Sequence, residues 1–340
     1  MEFTNEQQAV IDATERKILV QAAAAAGKTA TLVARVHKLL QDGIDPKSIV
    51  TITFTNAAAE EIFERLERPK GVFIGTIHSY ANFLLLSHGI DTSKLIEEEK
   101  FDKLFPLVQK HPSCIKPVDY LLLDEAQDST PLQFEFLLSM VNPTNYMLFF
   151  DHRQSIYRWN DADPQFLIDL MAEPDTTIYN LSRNYRNGTK ILHFAKNIIQ
   201  QAGADYRDFS IPMREEGGTV ITVEYNPQTL ANAILKRGNY KDWFVLARTN
   251  DQVDQMMRQL ELLDIPCASF KRSQLSNKEM YSLLKQDKVK VLTIHTSKGL
   301  EAKNVIVIGA RFYNLEEKCI SYVAATRAKD LLVWATQSPK

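Results

Sequence analysis

The sequence is short of cysteine, of long apolar runs and of any excess of charge, and each shortage removes a class of protein. Cys114, Cys267 and Cys319 are its only cysteines and stand far apart in 340 residues. That excludes a disulfide framework and a paired-cysteine metal site, leaving three reduced, structural thiols. No apolar stretch approaches the roughly 18 residues of a membrane span. The opening MEFTNEQQ has neither the basic nor the apolar region of a secretion signal, so a soluble, cytoplasmic protein without a membrane partner is expected. With 40 basic and 42 acidic residues the net charge is −2, and a polyanionic partner would have to be held by a local groove. Internal repeats and low-complexity tracts are also missing, and the acidic triplet Glu97 to Glu99 reads as a solvated helix face.

What is present is a 45% hydrophobic content, enough for a core in each of two ordinary domains. Short apolar runs at 49–54, 72–77, 118–123, 146–150, 244–246, 289–294, 304–308 and 331–334 alternate with amphipathic stretches, which is an α/β pattern. Residues 187–243 read as helix, polar linker with Gly217-Gly218, strand and helix, so a boundary between two lobes is expected near residue 180.

The run AAAAAGKT at 22–29 lies between an apolar strand, Ile18 to Val20, and a helical repeat of Leu32, Val33, Val36, Leu39 and Leu40. Strand, loop and helix in that order make a phosphate-binding loop. Backbone N–H groups of Ala22, Ala23, Ala24, Ala25, Ala26 and Gly27 would cradle phosphates, Lys28 would neutralise the outer ones, and the Thr29 hydroxyl would hold Mg²⁺. Alanine weakens the pattern at 22 and 25, where glycine is often found, because a left-handed alanine costs about 1–2 kcal/mol. A second apolar run, Tyr120 to Leu123, leads into Asp124-Glu125-Ala126-Gln127-Asp128. Asp124 is expected to hold Mg²⁺ through water, and Glu125 to orient and deprotonate an attacking water. Two arginine motifs, LSRNYR at 181–186 and YVAATRA at 322–328, offer guanidinium groups for a transferring phosphoryl group.

In order, these motifs resemble the UvrD/Rep-like superfamily 1A helicases from Phe3 to Lys329. FTNEQ resembles that family's adenine-reading segment, and TFTNAAAEE at 53–61 and GTIHS at 75–79 its first strand-contacting segments. FFDHRQSIYRWNDA at 149–162 is similar to its GDxxQSIYxWRGA pattern, and ARTN, TIHTSKGLE and EEKCISYVAATRA complete the series. The resemblance implies two RecA-like parallel-sheet lobes, 1–180 and 181–340, with ATP in the cleft between them. It implies a small helical insert near 79–117 and a minimal one near 268–288. Gln7 would read adenine, Tyr185 stack on it and Glu301 meet the ribose. Gln154 would sense the γ-phosphate, with Arg186 and Arg327 as arginine fingers. Single-stranded DNA would run over Phe54, Asn56, His78, Tyr157 and Trp159 of one lobe and Arg248, Asn250 and His295 of the other. Closing of the lobes would move a monomeric translocase 3′ to 5′, with an accessory protein as a further partner. Two alternatives stand beside this reading: a nucleotide-gated binding module with weak ATPase, and the same motor on RNA.

Overall fold

The apolar runs form parallel strands, since most are too short for a stable helix and a capping residue often follows. In the computed structural model, which describes residues 2–158, 161–214, 217–270 and 277–336, the chain divides into two compact units, Met1–Ser182 and Arg183–Lys340.

The first unit opens with helix α1 (Asn5–Asp12), started by a reciprocal cap between Thr4 and Gln7. Strands β1 (Lys17–Ala22), β2 (Ile49–Ile52), β3 (Phe73–Gly75), β4 (Tyr120–Leu123), β5 (Asn145–Phe150) and β6 (Thr177–Leu181) follow. They form one sheet in the order β3-β2-β4-β5-β1-β6, with every pairing parallel. Helices α2 (Lys28–Gln41), α3 (Asn56–Arg65), α4 (Ile77–Leu86), α5 (Ser93–Glu97), α6 (Leu104–Lys110), α7 (Pro131–Phe134) and α8 (Gln165–Met171) connect them. Between α7 and β5 the chain runs through a π-helical turn at Glu135–Met140. Helix α2 buries Leu32, Val33, Val36 and Leu39.

Two strand readings are too long: Phe54 lies beyond β2 and Ile77 inside α4. The Thr55 and Thr76 hydroxyls accept from the N–H groups of Ala58 and Ser79, so helices begin where apolar sequence still continues. Strand β6, absent from the sequence reading, is an edge strand whose exposure alternates and whose hydrophobic signal is therefore weak. Residues 79–117 are helical, yet Leu84, Leu85, Leu104 and Phe105 share one buried cluster with Val50, Leu121 and Leu148 of the sheet. They extend the core and do not build a separate one. Phe83 and Phe101 of this segment are exposed.

The second unit starts with a short pair, β7 (Arg183–Asn184) and β8 (Ile211–Pro212), around α9 (Thr189–Gln200). Its main sheet is made of β9 (Thr219–Glu224), β10 (Trp243–Ala247), β11 (Cys267–Ala268), β12 (Val289–Thr293), β13 (Ala302–Ile308) and β14 (Ala328–Thr336). The order is β11-β12-β10-β13-β14-β9, again all parallel. Helices α10 (Pro227–Arg237), α11 (Asn250–Glu261), α12 (Asn277–Lys285) and α13 (Leu315–Ala325) complete it. Trp243, Val245, Val291 and Ile306 pack with Met256 and Leu260 of α11. Ile294, read as strand, lies in the turn after β12. Among the described residues no helix is long and apolar enough to cross a membrane.

Parallel strands put the loops that follow them at one edge of a sheet, where α/β folds bind ligands. In the first unit those loops carry Ala23–Gly27 after β1, Thr53 after β2, Asp124 after β4 and Asp151 after β5.

Candidate nucleotide site and strand-binding face

Two residues give the loop after β1 its curvature: Ala25 at φ 58° and Gly27 at φ 81°. Of the two alanines at glycine positions, only Ala25 takes the left-handed conformation; Ala22 stays extended, paired with Leu181 in β6. The Ala26 N–H donates to the Ala23 carbonyl at 3.1 Å, and the Ala23 N–H to Leu181 at 2.8 Å. Gly27 precedes α2 with no side chain capping that helix, so the first N–H groups of α2 face the loop without a side-chain acceptor. Gln7 lies over the loop, its Nε2 donating to the Ala26 carbonyl at 3.2 Å.

Two direct contacts join the loop to the acidic pair. Lys28 Nζ is 2.9 Å from Glu125 Oε1, and Thr29 Oγ1 donates to Asp124 Oδ2 at 3.0 Å. Burial acts to lower the Lys28 ammonium and is outweighed by Glu125, Asp124 and Asp151, which hold it above its ordinary value. Burial and the neighbouring Glu125 push the Asp124 carboxyl up to about 6, against the pull of Lys28 and Thr29. A hydroxyl beside a carboxylate is a hard-oxygen donor pair of the kind Mg²⁺ takes, with phosphate oxygens filling its remaining positions. No group of three His, Cys, Asp or Glu suited to a metal occurs among the described residues.

The acidic pair is braced from behind. Glu125, itself left-handed at φ 53°, accepts from Gln127 Nε2. The Gln127 side-chain oxygen accepts from the Asp151 N–H at 3.0 Å. Gln154 Nε2 donates to Asp151 Oδ2 at 2.7 Å, and Arg153 Nε to Oδ1 at 2.6 Å. Arg153 Nη2 returns to the Ala22 carbonyl at 3.5 Å. Burial acts to raise Asp151 and is outweighed by Arg153 and Lys28, so it stays below the usual carboxylate range. Lys28, Glu125, Gln127, Asp151, Arg153 and Ala22 thus form a ring. Sequence reasoning singled out Gln154, which donates to Asp151 from beside this ring, but missed Asp151, Arg153 and Gln127, because a wholly buried arginine looks like a surface one in a sequence.

The aromatic residues lie beside this site. Phe54 and Tyr157 stack on each other, with ring centroids 5.0 Å apart and planes inclined by 25°. Asn56 is exposed at the start of α3. His78 stacks on Phe105 at 5.2 Å, and its Nε2 is 3.0 Å from Asp102 Oδ1. A pocket of about 160 Å³ runs from Asp124 and Glu125 to Phe54 and His78. Trp159 lies outside the described residues.

In the second unit Glu301 accepts from Arg186 Nε and pairs with Lys329 Nζ. Burial acts to raise Glu301 but Arg186 and Lys329 hold it low. Arg186 Nη1 also donates to the Thr326 carbonyl at 3.2 Å. Arg327, 2% exposed, donates to the carbonyls of Val323 at 2.9 Å and Leu300 at 3.3 Å. Tyr185 beside them is 47% exposed. Arg186, Glu301 and Arg327 are therefore neighbours around one turn. Arg248, by contrast, is gripped by Glu317 through Nε and Nη2, the latter at 2.8 Å. That hydrogen-bonded pairing raises its already high pKa. Asn250 is exposed at the start of α11, and His295 is half-buried after β12.

The family pattern of the UvrD/REP helicase N-terminal domain matches residues 3–111 and 109–175, and that of the UvrD-like helicase C-terminal domain matches 269–338. The chain belongs to the UvrD/Rep helicase family. Its similarity to the ATP-dependent DNA helicase Rep of Escherichia coli is 24% identity over 352 residues, covering 72% of this chain and 52% of Rep. A probable DNA helicase of Mycoplasma pneumoniae is 23% identical over 98% of this chain and 83% of its own length. The Rep helicase of Buchnera aphidicola is 30% identical over 183 residues, covering 50% of this chain and 28% of that protein. The chain spans about half the length of the Escherichia coli Rep and of the Mycoplasma capricolum helicase II homologue, at 52% of each.

Proposed function

We propose that this chain is an ATP-dependent translocase and helicase on single-stranded DNA that moves 3′ to 5′ and is capable of at least limited unwinding. The observation that carries the reading is the pairing of Lys28 with Glu125 and of Thr29 with Asp124, in a member of a helicase family. Lys28 and the α2 N-terminus hold the phosphates, and Gln7 the base. Thr29 and Asp124 would hold Mg²⁺, which supplies Lewis-acid stabilisation of the phosphoryl oxygens when bound. Glu125, once released from Lys28 by the arriving phosphate, accepts the proton of the attacking water. Gln154 senses the γ-phosphate from beside Asp151. Arg186 and Arg327 stabilise the transferring group, Tyr185 stacks on adenine, and Glu301 exchanges Arg186 for the ribose hydroxyls. Units 1–180 and 181–340 act as the two lobes, and nucleotide-driven closure moves the strand across Phe54, Asn56, His78, Tyr157 and Trp159 and across Arg248, Asn250 and His295. The chain works as a monomer in solution, and an accessory protein adds processivity.

The test is steady-state ATPase of the purified chain, alone and with oligo-dT or oligo-U, beside Lys28→Ala and Arg186→Ala. DNA-stimulated turnover that Lys28→Ala abolishes is expected. Arg186→Ala should lower kcat by about 10³-fold while sparing ATP binding. Stimulation by oligo-U alone would transfer the reading to RNA. One observation favours a second reading: Glu125 is held by both Lys28 and Gln127. If ATP binds but turnover stays negligible with either strand, the chain is a nucleotide-gated binding module.

A further inference from the structure

Thr53 follows β2, between β3 and β4. Its N–H donates to the Gly75 carbonyl at 3.0 Å, and the Asp124 N–H donates to Ile52 at 2.8 Å. Val50 and Ile52 point into the hydrophobic cluster, so strand alternation sends Thr51 and Thr53 to the opposite face, the one that Asp124 shares in register. Thr53 is 1% exposed, and its hydroxyl has no hydrogen-bond partner. It also lines the pocket that reaches from Asp124 and Glu125 to Phe54 and His78. Thr51, one turn of the pleat away, has the same unpartnered hydroxyl but does not line the pocket. A buried hydroxyl without a partner costs about 1–3 kcal/mol, and a pocket of this volume has room for water.

We propose that the Thr53 hydroxyl is a positioning group for hydrolysis, holding a water in this pocket between the Asp124–Glu125 pair and the Phe54–Tyr157 stack. The inference rests on the motor reading and adds to it a physical link. Thr53 is bonded in sequence to Phe54, so a base seated on Phe54 shifts the backbone that aims the hydroxyl. Nucleic acid at the rings and water at the acids then read one another through a single residue. Ser129 and Gln133, which also line the pocket, offer the water further partners.

The experiment compares wild type with Thr53→Val, Thr53→Ser and Thr51→Val in DNA-stimulated ATPase, ATP KM, oligo-dT affinity and Tm. Valine keeps the branched shape of threonine and replaces its hydroxyl with a methyl group. Thr53→Val is expected to lose about tenfold in stimulated kcat with KM and oligo-dT affinity within about twofold and Tm not lowered. Thr53→Ser should restore turnover, and Thr51→Val should leave it unchanged. Undiminished turnover in Thr53→Val, or an equal loss in Thr51→Val, overturns the inference while leaving the motor reading intact. A wild type that DNA does not stimulate overturns both.

Discussion

Gln7 fills the space that any side chain at position 27 would need: a Cβ built on Gly27 stands 2.7 Å from Gln7 Nε2. Gly27 also sits at φ 81°, so two independent constraints meet at one residue. Gly27→Ala should weaken ATP binding at least about tenfold, since the left-handed backbone alone costs about 1–2 kcal/mol. Adding Gln7→Ala relieves the clash but leaves the strained backbone and removes the proposed base contact, so little of the affinity should return in a nucleotide titration. Full recovery would mean that sterics alone govern this position.

Asp124 gives the nucleotide-free chain a pH dependence. Its folded pKa of about 6 lies above the ordinary aspartate value. Its contribution to stability is therefore complete below that ordinary value and is lost as pH rises through about 6. Thermal unfolding should show a less stable first unit at pH 8 than at pH 5, and Asp124→Asn should flatten the difference and raise Tm at pH 8. An unchanged slope in Asp124→Asn would assign the effect to another group.

In the proposed motor Phe54 and Tyr157 each offer a face to a base, and the two stacked rings support each other. Removing either ring should cost about 1–3 kcal/mol of oligo-dT binding. Because the rings stack, Phe54→Ala together with Tyr157→Ala should cost clearly less than the sum. Strict additivity in a fluorescence-anisotropy titration would place the bases elsewhere.

Arg248 is held by Glu317, whose side chain is 4% exposed. Arg248→Ala leaves a buried carboxylate without its cation, a loss of about 3 kcal/mol. A lower Tm is expected together with weaker oligo-dT binding, since the strand is proposed to run over Arg248. A lower Tm with unchanged oligo-dT affinity would make the pair with Glu317 purely structural and place the strand elsewhere.

Much of this was legible from residues alone. Apolar runs of strand length, several of them followed by a capping threonine or an acidic turn, marked the central strands. The edge strands β6 and β9 were harder: half their residues face solvent, and β9 was legible only through the Gly217-Gly218 linker and the helix after it. At the site, Lys28, Thr29, Asp124 and Glu125 were legible because phosphate chemistry fixes their order in the chain. Arg153 and Thr53 were not, since neither the burial of the one nor the unpartnered hydroxyl of the other leaves a trace in sequence. Contacts made by side chains distant in sequence, such as Gln127 with Asp151, also need coordinates.

The ion pairs differ in how much water reaches them. Asp151 and Arg153 are wholly enclosed, whereas Glu301 is 39% exposed while holding Arg186 and Lys329. Mobile ions screen the second group over about 8 Å at physiological ionic strength and hardly reach the first. Added salt therefore acts on this chain selectively: it loosens the arginine of the second unit from its carboxylate and leaves the brace beneath the loop of the first unchanged.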